Sequence, residues 1–207
     1  MTVGTHDSPV RGLDANSVCL RSGVGSGAVK VYTRGGDDGT TGLLYGGRVR
    51  KDDVQPTAYG DVDEAQSAIG LARAAGDDEL GGILLGLERD LWVVMAELAC
   101  NHDKLGQLES TGGRVRAEMV ERLEHLIDTA SERFEAPTEF VAPGGNEVSA
   151  RLDVARTVSR RAERSALSAV VDGSQVVPYL NRLSDLLWTL ARWQEGESVI
   201  TRSIDAD

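Results

Sequence analysis

The feature that most constrains this sequence is a helical spacing of apolar side chains, which continues through most of its 207 residues. Between Asp78 and Cys100, leucine and valine recur at steps of three and four residues. The positions are Leu80, Leu84, Leu87, Leu91, Val94 and Leu98. This spacing gathers them on one stripe of an α-helix. Aromatic residues make up only 4% of the chain, which favours packed helices over a β-sandwich.

Four further segments have the same helical spacing. They cover about 61–75, 114–135, 147–171 and 178–195, and Pro178 is expected to open the last of them. Short connections join these segments to the helix over 78–100. The sequence therefore predicts an all-α fold, an antiparallel five-helix bundle of the ferritin-like kind.

The two ends of the chain differ from its helical part. Residues 1–28 have no periodicity and many Gly, Ser and Asp residues, so we predict a flexible N-terminal tail. A short strand is expected over Val29–Thr33, before a glycine-rich loop at 34–42. One domain would then cover 29–195, and a C-terminal tail would cover 196–207.

Composition excludes several classes of function. Asp and Glu total 33 against 22 Lys and Arg, and a net charge of −11 argues against general binding to nucleic acid or anionic membranes. The sequence contains no run of eighteen apolar residues, so no membrane span is predicted. The polar N-terminus predicts no secretory signal, and the spacing of Cys19 and Cys100 predicts no disulfide framework. A cytoplasmic protein is expected.

The glycine-rich loop has the composition of an anion-binding turn. Its sequence, Arg-Gly-Gly-Asp-Asp-Gly-Thr-Thr-Gly, can direct backbone N–H groups and hydroxyls toward a phosphate. It is not a Walker A loop, because no Gly-Lys-Ser/Thr follows. Asp37 and Asp38 would repel a phosphate unless a cation lies between these carboxylates and the phosphate. An ordinary exposed turn is the alternative interpretation.

The fourth predicted helix is rich in arginine, at positions Arg151, Arg156, Arg160, Arg161 and Arg164. Arg156, Arg160 and Glu163 fall on one face, within about a sixth of a circle. Such a face either forms ion pairs in solvent or binds a polyphosphate or an acidic partner. No spacing of His and Cys predicts a built-in metal site.

Several blocks of this sequence together resemble the PduO-type ATP:cob(I)alamin adenosyltransferases. They occur in the order and spacing of that family, from about Val29 to Trp193. The blocks are residues 32–53, 59–64, 143–145, 154–164 and 179–185. The resemblance implies the helical bundle of the cobalamin adenosyltransferases, with a short N-terminal strand and a nucleotide loop.

The resemblance also implies an activity. The family transfers the 5′-deoxyadenosyl group of ATP to the cobalt of cob(I)alamin or a related corrinoid, releasing triphosphate and forming adenosylcobalamin. Mg²⁺ is expected on the ATP phosphates, and a homotrimer with sites between subunits is implied. A flavin reductase and a B12-dependent enzyme such as a mutase are the expected partners. Two alternatives stay open: a carrier of corrinoid or nucleotide that docks with such an enzyme, and a helical interaction module.

By resemblance, the site residues divide into groups. The loop residues expected to hold ATP are Thr33, Arg34, Gly35, Gly36, Asp37, Gly39, Thr41, Gly42 and Lys51. Those expected to complete the ATP site from the last two helices are Arg160, Arg161, Glu163, Arg164 and Asn181. The implied catalytic set is Arg156, Arg160, Glu163 and Phe140.

Three of these roles concern the subunit contact and the corrinoid. Arg156 would contact the nucleotide and pair with Asp63 of the adjacent subunit. Phe140 would displace the lower ligand of cobalt, and Trp188 would lie beside the corrinoid. From the residues alone, a core Phe at a helix end and an ion-paired Asp63 are the ordinary alternatives. The chain departs from the family at Asp38, where many relatives carry Lys, at Trp188 in place of Phe, and over residues 97–113.

Overall fold

The computed structural model of the protein describes Tyr32 and residues 34–203. Tyr32 and Arg34 belong to an N-terminal unit that ends at Arg34, and everything from Gly35 onward belongs to a second unit. The described residues form six α-helices and one two-stranded antiparallel sheet. The predicted all-α class is therefore confirmed. The predicted tail over 1–28 and most of the predicted strand, Thr33 included, lie outside the described residues.

Six α-helices follow one another along the chain. They are α1 (Val54–Ala75), α2 (Asp78–Leu98), α3 (Leu105–Ser110), α4 (Ala117–Ser131), α5 (Glu147–Ala166) and α6 (Val176–Glu195). The five long helices correspond to the five predicted ones. The short α3 is additional, and it lies between the second and third predicted helices. Single 3₁₀ turns lie at His102–Lys104 and Thr201–Ser203.

The hairpin before α1 corrects the prediction of a loop over 34–42. Strand β1 (Thr40–Gly42) pairs antiparallel with β2 (Arg48–Arg50), with Thr41 opposite Val49. The turn between them contains Gly46 and Gly47 at φ of 105° and 95°, a left-handed backbone region that favours glycine. The strand that hydrogen-bonds with β1 is β2, which lies outside residues 34–42. The composition of 34–42 alone therefore indicated a loop.

Helix α1 begins at Val54, not near Asp61 as predicted. Pro56 lies in its first turn, where backbone N–H groups have no partner inside the helix, so proline does not interrupt it. Pro178 occupies the same kind of position, because α6 begins at Val176 and not at the proline. The predicted ranges 114–135 and 147–171 were too long, since α4 spans Ala117–Ser131 and α5 ends at Ala166.

The helices share one hydrophobic core. Helix α1 packs between α2 and α5, and α6 packs between α5 and α4. Alanine is frequent on the buried faces of α1 and α5, and small side chains let two helix axes approach closely. The fully buried alanines are Ala58, Ala65 and Ala72 on α1, and Ala155, Ala162 and Ala166 on α5.

Side-chain pairs define the directions of the helices. Arg151 of α5 donates to the Leu71 carbonyl, while Arg161 pairs with Asp61, so α1 and α5 run antiparallel. Helices α4 and α6 run parallel, because Arg182 pairs with Glu124 and Arg133 lies over the Trp193 ring. An odd number of helices around one core cannot alternate in direction throughout. No helix within the described ranges has the length and apolarity to cross a bilayer.

Candidate active site

The glycine-rich turn is fastened to the hairpin by Arg48. The guanidinium of Arg48 donates to the Gly35 carbonyl at 2.6 Å and to Thr40 Oγ1 at 3.0 Å. Asp38 accepts from the backbone N–H and the hydroxyl of Thr40 and lies 3.6 Å from Arg48. These hydrogen bonds from Thr40, and to a lesser extent Arg48, lower the pKa of Asp38. Arg48 thus offsets the negative charge that was expected to repel a phosphate from the turn.

Lys51 lies over this turn. Its backbone N–H donates to the Gly39 carbonyl at 2.9 Å. A Cβ atom added at Gly36 would lie 3.1 Å from Lys51 Nζ and 3.1 Å from the Thr40 carbonyl oxygen. A side chain at Gly36 would therefore displace the ammonium group. Gly39 is glycine for a different reason, its φ of 79°.

The other predicted loop residues occupy varied positions. Asp37 lies exposed in the turn, whereas Thr41 and Gly42 are in β1. Arg34, in the N-terminal unit, has a φ of 60° and its guanidinium lies 5.9 Å from the centre of the Tyr32 ring. Thr33 lies outside the described residues.

The hairpin and the C-terminus of α5 share one end of the bundle. Leu44 exchanges backbone hydrogen bonds with Ala99 and Asn101, just after α2. His102, in the next turn, contacts the Ala169 carbonyl beyond α5 at 3.2 Å. The loop and the arginine-rich helix, far apart in sequence, are therefore brought to the same end of the molecule.

Most cations of the second unit are balanced by a carboxylate. Arg161, for example, pairs with Glu64 and lies 3.4 Å from Asp61; the hydrogen bond to Glu64 raises the pKa of Arg161. Within the described residues, the cations without a carboxylate inside 4.0 Å are Arg34, Lys51, Arg89, Lys104, Arg160 and Arg164. All of them except Arg89 and Lys104 belong to the predicted nucleotide set. Among the described residues, the unbalanced positive charge is concentrated in that set.

Glu163 and Asn181 are joined directly. Asn181 Nδ2 donates to Glu163 Oε1 at 2.9 Å, which connects α5 to the first turns of α6. Asn181 Oδ1 accepts in turn from Arg182, which also bonds Glu124 of α4. Two of the predicted residues, Glu163 on α5 and Asn181 on α6, are thus held by one hydrogen-bonded chain across three helices.

The other end of α5 borders a cavity of about 810 Å³. Phe140, Arg156 and Trp188 line this cavity, so it brings together the two residues predicted beside the corrinoid and one predicted at the nucleotide. Phe140 is 92% exposed and is not the core residue that was its alternative interpretation. The cavity joins an apolar aromatic wall to a cationic one.

The backbone of Phe140 is fixed although its side chain is exposed. The Thr201 N–H donates to the Phe140 carbonyl at 2.8 Å, and the Ala142 N–H donates to the Val199 carbonyl at 2.8 Å. Arg202 adds an ion pair with Glu139 at 3.6 Å. Residues 199–201, in the predicted C-terminal tail, therefore hold the loop that carries Phe140.

Arg156 and Trp188 each contact a neighbour. Arg156 Nε donates to Asp153 Oδ1 at 3.1 Å. The Trp188 ring packs edge-on against the Phe134 ring, with 6.4 Å between the ring centres. The Arg192 guanidinium lies 5.8 Å from the centre of the Trp188 ring. Asp63 is exposed on α1 and has no ion pair inside the part of the chain that the structure describes.

Sequence reasoning did not identify Arg48, Asp153 or Arg192. Arg48 belongs to the resembling block 32–53, but nothing local indicates that it reaches Gly35. Asp153 had a usable signal, because an aspartate three residues before an arginine on a helix can pair with it. Arg192 is 2% exposed, and its burial depends on tertiary packing.

Known proteins include clear relatives of this chain. The family model described as cobalamin adenosyltransferase matches residues 31–194. A corrinoid adenosyltransferase from Mycobacterium leprae is 44% identical over 171 residues, which cover 79% of this chain and 90% of the relative. One from Bacillus subtilis is 36% identical over 180 residues, which cover 83% of this chain and 90% of the relative.

Solved structures give a matching result. A variant PduO-type ATP:corrinoid adenosyltransferase from Lactobacillus reuteri, complexed with cobalamin and ATP, has a TM-score of 0.75 at 28% identity. The match covers 84% of this chain and 97% of that one. Another variant, complexed with ATP, has a TM-score of 0.72 at 27% identity and covers 83% and 99% of the two chains.

Proposed function

The chain belongs to the cobalamin adenosyltransferase family, and we propose that it transfers the 5′-deoxyadenosyl group of ATP to the cobalt of cob(I)alamin or a related corrinoid. The reduced cobalt supplies the electron pair of the new cobalt–carbon bond. The C5′–O5′ bond breaks, and its electrons leave with triphosphate. Since the corrinoid substrate is itself the nucleophile, the protein has to align the two substrates and stabilise the leaving charge.

The ATP side of this proposal rests on the cations. A triphosphate carries several negative charges, and a chain with a net charge of −11 can bind it only where positive charge is locally unbalanced. Lys51, Arg160 and Arg164 are such cations, because no described carboxylate lies within 4.0 Å of them. We propose that they bind the phosphates, with Glu163 and Asn181 as a fixed hydrogen-bonded pair beside them.

The corrinoid side rests on the cavity. A corrin ring is a broad, largely apolar face, and an exposed Phe140 opposite Trp188 offers a matching aromatic surface. The backbone hydrogen bonds from residues 199–201 keep Phe140 in place without covering its side chain. We propose that Phe140 occupies the lower face of the corrinoid and displaces the lower ligand of cobalt.

Magnesium fits this site only together with ATP. The described residues contain no group of three or more His, Cys, Asp or Glu side chains that could hold a metal ion. Phosphate oxygens are ligands that Mg²⁺ prefers, and it commonly keeps one or two carboxylates besides. We propose Asp37, which is exposed in the glycine-rich turn, as a carboxylate that could complete such a set. The ion would supply charge neutralisation for the phosphates.

We also propose the homotrimer. Asp63 and Arg156 lie on α1 and α5, and Asp63 has no ion pair within the described chain. The same two helices carry Leu71 and Val154, which are 57% and 54% exposed. Exposed apolar residues on the helices that also carry an unpaired carboxylate suit a contact with a second copy. A flavin reductase as electron donor and a B12-dependent mutase as recipient remain predictions from the resemblance.

The observation that carries the proposal is that Phe140, Arg156 and Trp188 meet at one cavity. The test is an anaerobic absorbance assay with chemically reduced cobalamin and Mg-ATP. We expect loss of the cob(I)alamin band and growth of a photolabile adenosylcobalamin spectrum. Binding of ATP and cobalamin without turnover would instead favour the carrier.

Point variants test the roles proposed for Lys51, Arg160 and Phe140. Lys51→Ala and Arg160→Ala should lower kcat/KM by about 100-fold, the scale for losing one preorganised charge contact. Lys104→Ala and Arg89→Ala remove exposed cations outside the predicted nucleotide set and are controls that should retain turnover. Phe140→Ala should abolish most turnover with ATP affinity nearly kept. Equal activity in the two pairs of cation variants would contradict the ATP assignment.

A further inference from the structure

A buried group of charges lies beneath the cavity. The side chains of Asp153, Arg192 and Glu195 are 4%, 2% and 1% exposed. Removing charged groups from water costs several kcal/mol for each ion. Arg192 Nη2 already has a carboxylate partner in Glu195, at 3.0 Å. One carboxylate would balance its charge, so the second, Asp153, requires another explanation.

Asp153 is shared between two arginines. Its Oδ2 accepts from Arg192 Nη2 at 2.6 Å, and its Oδ1 accepts from Arg156 Nε at 3.1 Å. The two carboxylates and two guanidiniums of this group balance to zero. Arg192 is the immobile member, because it is buried and its guanidinium lies 5.8 Å from the centre of the Trp188 ring. Asp153 thus connects a fixed arginine to one that reaches the cavity.

This connection determines which atoms of Arg156 are available. Its Nε is occupied by Asp153, whereas its two terminal nitrogens have no hydrogen-bond partner among the described residues. The side chain is 27% exposed, and it lines the cavity with Phe140 and Trp188. A guanidinium held at Nε keeps its plane fixed and presents both terminal nitrogens together, the geometry for bidentate binding of an oxyanion.

We propose that Asp153, anchored by the buried Arg192, is a positioning residue, which orients the terminal nitrogens of Arg156 toward the nucleotide and the proposed contact with Asp63 of the adjacent subunit. The inference rests on the proposed function, since it assigns Arg156 to that site. A misplacement of about 1 Å in a positioning group can cost about 100-fold in rate. The loss of rate expected from removing Asp153 is therefore larger than the loss that one hydrogen bond would cause through stability.

Glu195 provides the matched control. It is as buried as Asp153 and bonds the same atom of Arg192, but it has no contact with Arg156. Asp153→Asn and Glu195→Gln each remove one buried charge without changing size. Both should lower the thermal midpoint by several degrees, since each weakens a charge-assisted hydrogen bond to the buried Arg192. Only Asp153→Asn should change the handling of ATP.

The experiment compares these two variants in the full-length protein, with Arg156→Ala and the Asp153→Asn/Arg156→Ala double variant. We expect Asp153→Asn to raise the dissociation constant for Mg-ATP and to lower kcat/KM at least about tenfold. Glu195→Gln should stay within about twofold of the parent in both quantities. In the Arg156→Ala background, Asp153→Asn should cause no further loss, because the group it positions is absent.

Two results would overturn the inference. One is an equal loss of ATP affinity in Asp153→Asn and Glu195→Gln, which would reduce Asp153 to a structural role. The other is a full Asp153→Asn effect in the Arg156→Ala background. Failure of the proposed function appears separately, as absence of adenosylation in the parent protein. The Mg-ATP dissociation constants test the role of Asp153 in that case too.

Discussion

Replacing Glu97 with alanine should strongly destabilise this protein, although Glu97 lies outside the candidate site. Its side chain is 4% exposed near the C-terminal end of α2. Its carboxylate accepts from the Val115 N–H at 2.7 Å, from the Ser174 hydroxyl at 2.7 Å and from Arg114 Nη2 at 3.3 Å. These donors lie just before α4 and just before α6. One carboxylate therefore ties together three segments that are distant in sequence.

The magnitude follows from what each donor loses. A buried N–H such as that of Val115, left without an acceptor, costs about 1–3 kcal/mol. Arg114 keeps only Glu109 at 3.8 Å, and its Nε is already buried without a partner. Removing one member of a buried ion pair costs about 3–5 kcal/mol. We expect Glu97→Ala to lower the free energy of unfolding by about 3–5 kcal/mol.

Urea denaturation at neutral pH, followed by far-UV circular dichroism, measures this difference. Glu79→Ala is the matched control, because Glu79 is on the same helix and pairs with Arg133 at 2.7 Å, but its side chain is 54% exposed. An exposed pair contributes about 1 kcal/mol or less. If the two variants unfold at similar urea concentrations with the same m-value, the buried carboxylate does not tie the three segments together.

Two further predictions concern Phe140 and Cys100. Thr201→Pro removes the N–H that donates to the Phe140 carbonyl. This variant should lower turnover with cob(II)alamin and a reductant about tenfold or more. Thr201→Ala keeps the N–H, so a loss of turnover in both variants would contradict the prediction. Burial, with a smaller effect of Glu97, raises the pKa of the Cys100 thiol above its ordinary value of 9.0, so the folded state favours the protonated thiol. Its contribution to stability is present below pH 9.0 and is lost as the pH rises through the folded-state pKa. In a Cys19→Ser chain, iodoacetamide should modify Cys100 at least about tenfold more slowly in the folded than in the urea-unfolded protein at pH 8, and equal rates would refute this.

Much of the fold was predictable because it depends on residues close together in sequence. The stripe from Leu80 to Leu98 specifies α2, and all of its members are buried in the structure. The prediction was wrong where a residue type has two uses. The predicted start near Asp61 left Pro56 outside the helix, yet in the first turn of α1 proline costs no hydrogen bond. The segment around Thr40 was predicted as a loop, because Arg50, which pairs with Thr40 in the sheet, comes from another segment.

The amino-acid sequence specifies the helices, their apolar faces and the arginine-rich face of α5, because a regular helix converts spacing into position. It could not determine which arginines are balanced. Arg161 and Arg160 are adjacent in the sequence, yet only Arg161 meets carboxylates, on α1. The sharing of Asp153 between Arg156 and Arg192 likewise depends on how α5 packs against α6. Charge balance and burial arise from contacts between distant segments, so they depend on how the helices pack and not on local spacing.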